Sequence, residues 1–306
     1  MKKLIVLGLV LILAGYTQAA TKIWVSADGN WAAAASWSPS GVPASNDNVY
    51  LEDSTVAVDE GFDQNAVYLA SLNIAQSYTG TIGDDVNYLK IGAIKVEIGY
   101  NNGPGSPVGA TRINLNLDAN SNTIVVYNSG SPAVSTVPTI LIKDTNSSST
   151  LEVRKGKVGV AFKTGETSTF SSITASYVTN INTDAEVTVG SGTTLTTYKQ
   201  TGGDNILLCA ATTVTGDGGT LLISGTGAIT TLTTTGGTVT SNTSGTITTA
   251  TTKTLGTLDL TKSTKARTIT TCKLDSGGTL KYDPDIVTLT NKVSSDDPVA
   301  LRATRP

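Results

Sequence analysis

The chain contains no histidine in 306 residues, and that absence decides which chemistry its side chains can perform. Without imidazole there is no Ser-His-Asp or Cys-His nucleophile system, and no zinc site that depends on histidine. Paired carboxylates survive the test, because glycoside hydrolysis needs only two acids, and a polysaccharide lyase can work with acidic calcium ligands and a Lys or Arg. The candidate acids are Asp118, Asp144, Glu152, Asp204 and Asp217. All sit beside turn-forming residues, where a carboxylate commonly bonds to its own backbone. Between Gly218 and Leu258 the only charged residue is Lys253, so that stretch supplies no acid pair. A turn role is expected for each acid, and no catalytic residue is assigned.

Other constellations are equally thin. Gly216-Asp217-Gly218-Gly219 has the form of one unit of a calcium-binding glycine-aspartate repeat, but such sites need tandem copies. Asp84 and Asp85 form a second weak oxygen pair. No glycine run carries the lysine of a phosphate loop. Neither a metal nor a cofactor is therefore expected. Two cysteines, Cys209 and Cys272, lie 63 residues apart.

The elements that would position these groups begin after a leader. Met1 to Ala19 has Lys2 and Lys3, an apolar run from Leu4 to Ala14, and small residues at Thr17 and Ala19, the pattern of a secretory signal peptide. The run is shorter than the roughly 20 residues of a bilayer span, so cleavage without a retained span is expected. Removing Lys2 and Lys3 leaves 19 basic residues against 24 acidic ones, a net charge of −5. That balance disfavours phosphate-backbone binding, and Arg154, Lys155 and Lys157 read as a solvated loop rather than a nucleic-acid patch.

Val, Ile and Thr recur between Gly, Asn and Asp punctuation, which predicts many short strands and turns. The triplet Thr-apolar-Thr returns around Leu195, Val214, Leu232, Ile247, Ile269 and Leu289, spaced 19, 18, 15, 22 and 20 apart. A second series, Leu207, Leu222, Val239, Leu258 and Leu280, interleaves with it, and several members follow a glycine turn. Alternation along a strand turns each apolar centre one way and its threonines the other. Coils of about 18 to 20 residues stacked about 4.8 Å apart would then carry apolar columns inside. The expected fold is all-β, a parallel β-helix (β-solenoid). An antiparallel sandwich competes, but it needs no constant coil length. At such a rise the two cysteines stand about 3.5 coils, or about 17 Å, apart, too far for the roughly 7 Å that a disulfide allows. Two unpaired thiols within or beside the core are expected.

All three tryptophans fall between Trp24 and Trp37. An exposed first rung invites end-to-end pairing, so an aromatic cap over that end is expected; the functional alternative is a stacking platform for sugars. Asn101 to Ala110 and Val134 to Pro138 are rich in glycine and proline and should leave the coil as loops. The division is thus a leader over 1–19, a cap and irregular solenoid half over 20–165, and a regular threonine-rich half over 166–306.

The series Gly29-Asn30-Trp31, Ser36-Trp37, Gly41-Val42-Pro43 and Asp47-Asn48-Val49 resembles the start of exported bacterial right-handed β-helix proteins, including passenger regions of autotransporter type. Tyr88-Leu89-Lys90-Ile91-Gly92, Gly103-Pro104-Gly105-Ser106-Pro107 and Tyr127-Asn128-Ser129-Gly130 resemble uncharacterised proteins of bacterial and phage genomes. Together these cover about Trp24 to Gly159. The resemblance implies a right-handed surface β-helix on a bacterial envelope or a virion, and it implies no reaction. Unlike autotransporters, the chain carries no C-terminal membrane barrel motif.

The leading expectation is a non-enzymatic, secreted structural or adhesive surface protein. Its partners would be cell-surface or virion components, glycans among them, with self-association open and nucleic acid excluded. A carboxylate-based polysaccharide-binding or polysaccharide-degrading enzyme is one alternative. The stacked threonines raise another, an ice-binding solenoid, against which stands the simple strand propensity of threonine.

Overall fold

The computed structural model describes residues 19–84, 86–99, 113–117, 122–129, 137–175, 185–275 and 277–294. The leader up to residue 18, Asp85, Asp118, the loop 101–110 and residues 134–136 lie outside the described residues. The described residues form 23 strands in one continuous sheet, with a three-residue 3-10 turn at Ala34–Ser36. No described helix is long and apolar enough to cross a membrane. Every pairing between these strands is parallel except that of Ile23 and Trp24 with Ser38 and Trp37. The protein is a parallel β-solenoid.

Two ladders run along the coils. The first runs from Asn48–Leu51 through Asp63–Ile74, Leu89–Ile98, Thr123–Val126 and Thr150–Val153. It continues through Ser168–Ala175, Thr193–Gln200, Ala211–Gly216, Ile229–Thr234 and Ile247–Thr252 to Arg267–Leu274 and Val287–Ser294. The second runs from Ile113–Leu117 through Ile140–Asp144, Gly156–Val160, Ala185–Val189 and Asp204–Leu207 to Thr279–Lys281.

Parallel register stacks like on like. One inward column passes from Val49 through Leu72, Val96, Ile124, Leu151 and Ile173 to Tyr198, Val214, Leu232, Ala250 and Cys272. All of these are buried, and each large aliphatic member contributes on the order of 1.5 to 3 kcal/mol. The steps along this column are 22 to 28 residues up to Tyr198 and 16 to 22 beyond it. Lysines bound the column at both described ends. Lys22 stacks on Val49 and donates to the carbonyls of Pro39 (3.0 Å) and Ser40 (3.3 Å), and Lys292 stacks on Cys272. A charge at a terminal rung works against sheet-to-sheet pairing between molecules.

The register corrects the repeat as read from the triplets. Leu195 stacks on Ala211, Ile229, Ile247, Ile269 and Leu289, whereas Val214 and Leu232 belong to the Tyr198 column three residues further on. The triplet series therefore switched columns twice. Its spacings of 19 and 15 are coils of 16 and 18 residues, read with a three-residue jump out and back. Both columns are inward because the chain bends between them: Ala211 and Val214 are buried while Thr212 and Thr213 both face out. In the second series Leu221, not Leu222, stacks with Val239, Leu258 and Leu280. Leu222 is half-buried on the outer face, where it stacks between Ile206 and Thr240.

The glycine turns are corners of the coil. Gly203 (φ +76°), Gly219 (φ +67°) and Gly237 (φ +64°) stack on one another. A Cβ on Gly203 would lie 1.9 Å from the carbonyl oxygen of Ala185, so both conformation and space demand glycine there. Polar side chains face inward at the same corner. Gln200 Nε2 donates to the carbonyls of Gly203 (3.0 Å) and Gly218 (2.9 Å), and Asn205 Nδ2 to that of Gly202 (3.0 Å). They satisfy the Gly202 and Gly218 carbonyls, which the turn removes from the ladder, and give a second donor to the Gly203 carbonyl, which also accepts from the Thr220 N–H (2.8 Å).

At the other end the tryptophans form the expected cap. Trp24, Trp31 and Trp37 are all buried, with ring centroids 4.6 to 6.2 Å apart. Trp24 and Trp37 donate their indole N–H groups to the carbonyls of Val56 (3.2 Å) and Trp31 (2.8 Å). The Gly-Asn-Trp segment is set by hydroxyls: Ser26 Oγ accepts from the Gly29 N–H (2.9 Å), and Ser36 Oγ donates to the Asn30 carbonyl (2.6 Å). With no ring face open to solvent, a sugar-stacking role for this cluster is ruled out.

Cys209 and Cys272 are free and buried. Cys272 lies on the Val49 column, and Cys209 precedes Ala211, whose strand stands three rungs below. That separation is about 14 Å along the axis. Burial raises both thiols, Cys209 to about 12 and Cys272 to about 11.

Candidate functional site

The candidate acids are dispersed. Asp118 lies outside the described residues. Glu152 is on the outer face of the first ladder, paired bidentately with Arg154 at 2.9 and 3.2 Å. Arg154 also lies over the Tyr127 ring, 4.6 Å from its centroid. Asp217, at a corner, accepts a short hydrogen bond from Thr235 Oγ1 and pairs with Lys199 at 3.5 Å. Asp84 accepts from its own turn, from the N–H groups of Val86 and Asn87 (2.7 Å each) and from Asn87 Nδ2 (2.9 Å). Among the described residues no three acidic or cysteine side chains gather at metal-ligand distance.

Asp144 is the exception in environment, since it points into the solenoid and is fully buried. It accepts from Asn122 Nδ2 (2.6 Å) and the Asn146 N–H (2.8 Å), and burial pushes its carboxyl up to about 6. Because the folded pKa lies above the ordinary 3.8, the group is neutral on both sides of the folding equilibrium below about pH 4. As pH rises to 6, ionisation favours the unfolded chain by a growing amount, reaching roughly 3 kcal/mol. Relative to Asp144→Asn, the wild-type protein should therefore lose about that much stability between about pH 4 and about pH 7. Urea melts of both proteins at the two pH values check this, and a pH-independent gap contradicts the buried placement.

Asp204 joins a site that the sequence did not reveal. Lys157 and Glu186 are register partners with their charges 2.7 Å apart, and the next coil, in register where Thr188 meets Ile206, brings Asp204 to the same groove as Glu186. With Pro138, Thr188 and the partly exposed Ile206 they line a groove of about 230 Å³ on the outer face of the second ladder. The pairing became visible only with the register, because the two coils differ in length. A larger groove of about 430 Å³, between Ser244, Ala266 and Asp285, has no cluster of chemical groups. Arg267 turns inward beneath it, donating to Ser241 Oγ (3.1 Å), Ser263 Oγ (2.6 Å) and the Thr243 carbonyl. Tyr88, Glu166 and Lys143 form another cross-coil cluster, with Tyr88 Oη donating to Glu166 (2.7 Å) and Lys143 3.4 Å from the same carboxylate. Each of these groups is committed to its neighbours, and the arrangement ties loops together.

Compared with protein-family models, with curated proteins and with solved structures, the chain matches none.

The most regular exterior feature is built of threonine. Thr197, Thr213, Thr231, Thr249 and Thr271 are successive register partners on the outer face of the first ladder. Two residues along the strand, Thr215 and Thr233 extend the face in a parallel column bounded by Lys199 and Lys273, in which the next register partner, Thr251, is buried. Immediately before the first column, Thr196, Thr212, Thr230, Thr248, Thr270 and Thr290 are all exposed.

Proposed function

We propose that the protein is a non-enzymatic structural or adhesive rod, exported to a cell envelope or virion surface, that contacts its partners through the outer faces of the coil. The observation that carries this reading is the unbroken inward column from Val49 to Cys272, which builds length rather than a cleft. The dispersal of Asp144, Glu152, Asp204 and Asp217 supports it, because no two of these acids face a common space. The groove of Lys157, Glu186, Asp204 and Ile206 supplies carboxylates and an ammonium for sugar hydroxyls beside an apolar patch, which suits a glycan as the contacted partner.

A second reading is favoured by Glu186 and Asp204. Adjacent coils lie about 4.8 Å apart, close to the roughly 5 to 5.5 Å that separates the acids of retaining glycosidases. Incubation of the protein lacking residues 1–19 with a panel of polysaccharides separates the two. The rod reading expects glycan-array binding that Glu186→Gln weakens, and no cleavage. Cleavage lost in both Glu186→Gln and Asp204→Asn would replace the rod with a hydrolase.

A further inference from the structure

From the threonine face we infer that the outer surface of the first ladder, centred on Thr231 and Thr233, binds ice. This goes beyond the adhesive reading and does not depend on it.

Two facts about the face single it out. First, the hydroxyls of Thr213, Thr231, Thr249, Thr215 and Thr233 make no hydrogen bond to a protein group among the described residues. Threonines at the corners behave differently: Thr235 donates to Asp217, Thr243 to the carbonyls of Gly225 and Gly227, and Thr261 to Asp259. Among the described residues the hydroxyls on the face therefore have no protein partner and are open to water. Second, the array repeats in two directions, about 4.8 Å from coil to coil and about 6.6 Å from Thr231 to Thr233 along the strand. Oxygen rows on the faces of hexagonal ice repeat at comparable intervals.

Threonine suits the task physically. Its β-branched side chain has few χ1 states, so hydroxyl and methyl are held at fixed sites before any ligand arrives, and little ordering entropy is lost on binding. The methyl groups disfavour random water orientations while the hydroxyls anchor water at lattice positions. No charge interrupts the columns between Lys199 and Lys273. A charge would draw a hydration shell incompatible with the ice lattice. Among the described residues no aromatic ring stands on the face either, since Tyr198 points inward and is buried. Sugar recognition by stacking therefore has nothing to use here. A face that repeats without a distinguishing group has no way to fix a single small molecule, but it is complementary to a periodic solid.

The test uses the protein without residues 1–19 in an ice-recrystallisation assay and in partition into a slowly growing ice front. The expected result is arrested grain growth and enrichment in the ice fraction. Thr231→Tyr, which breaks the array, should lose both, with unchanged circular dichroism and melting. Thr240→Tyr, on the second ladder, should keep both. Grain growth and partition equal to those of serum albumin overturn the proposal whatever the variants do. Equal loss in Thr231→Tyr and Thr240→Tyr, or pelleting with crystalline cellulose or chitin without partition into ice, also overturns it.

Discussion

Replacing Trp31 with alanine is expected to lower the stability of the protein by about 3 to 5 kcal/mol, the usual loss for a fully buried tryptophan. Trp31 has no exposed surface. Its ring packs edge-on against Trp37, 4.6 Å away, and stacks near Trp24 at 6.2 Å. Its backbone N–H donates to the Glu60 carbonyl (3.1 Å), tying the cap to the following coil. The loss should also change association, because a solenoid repeat contacts only its neighbours and a loosened cap uncovers the rungs that begin at Val49 and Leu51. Denaturant melts and light scattering should move together for Trp31→Ala, while Val25→Ala, at a half-exposed position, shifts stability by no more than about 0.5 kcal/mol. A Trp31→Ala protein as stable and monodisperse as the wild type would mean that the aromatic cluster closes nothing.

The second large effect distinguishes two adjacent leucines. Leu221 is fully buried in the column with Val239, Leu258 and Leu280, so Leu221→Ala should cost about 2 to 5 kcal/mol. Leu222 faces outward, and Leu222→Ala should cost less than about 1 kcal/mol. Because side chains alternate strictly along a strand, a shift of one residue exchanges the two roles. Chemical melts of the pair therefore read the register directly. Equal losses, or the larger loss at Leu222, would place the second ladder in a different register.

These two leucines also mark where the sequence was legible and where it was not. Strand propensity, glycine turns and recurring apolar residues were enough for a parallel solenoid, for the tryptophan cap and for unpaired cysteines. Column membership was not. In Ile229-Thr230-Thr231-Leu232-Thr233 both apolar residues point inward, because the chain bends and turns two consecutive threonines outward. A triplet rule accepts either residue, so Leu232 and Ile247 were joined although they belong to different columns. Leu221-Leu222 defeated the period-two rule in the same way, since each is an acceptable inward residue.

The interior polar residues were illegible for another reason. Gln200 and Asn205 look like surface residues by type, yet they face inward to satisfy corner carbonyls. Whether a polar side chain is needed inside depends on turn geometry, which composition does not encode. The groove was hidden by unequal coil lengths: Lys157, Glu186 and Asp204 have no common sequence interval and meet only through the ladder. Asp144 has the same kind of turn neighbours as the other acids, and nothing in those neighbours distinguishes an inward carboxylate from an outward one.

Coils that stack in register along one axis fix the distance between Thr196 and Thr290, which measures the stacking most directly. Both residues are exposed, and the strands that carry them are five rungs apart. Spin labels on Thr196→Cys and Thr290→Cys will attach selectively, because the native thiols are buried with raised pKa values and react only as thiolates. Pulsed dipolar spectroscopy should give one narrow distribution near 24 Å, five rungs of about 4.8 Å. A broad distribution, or a peak at the separation of directly neighbouring strands, would contradict the stacked coil.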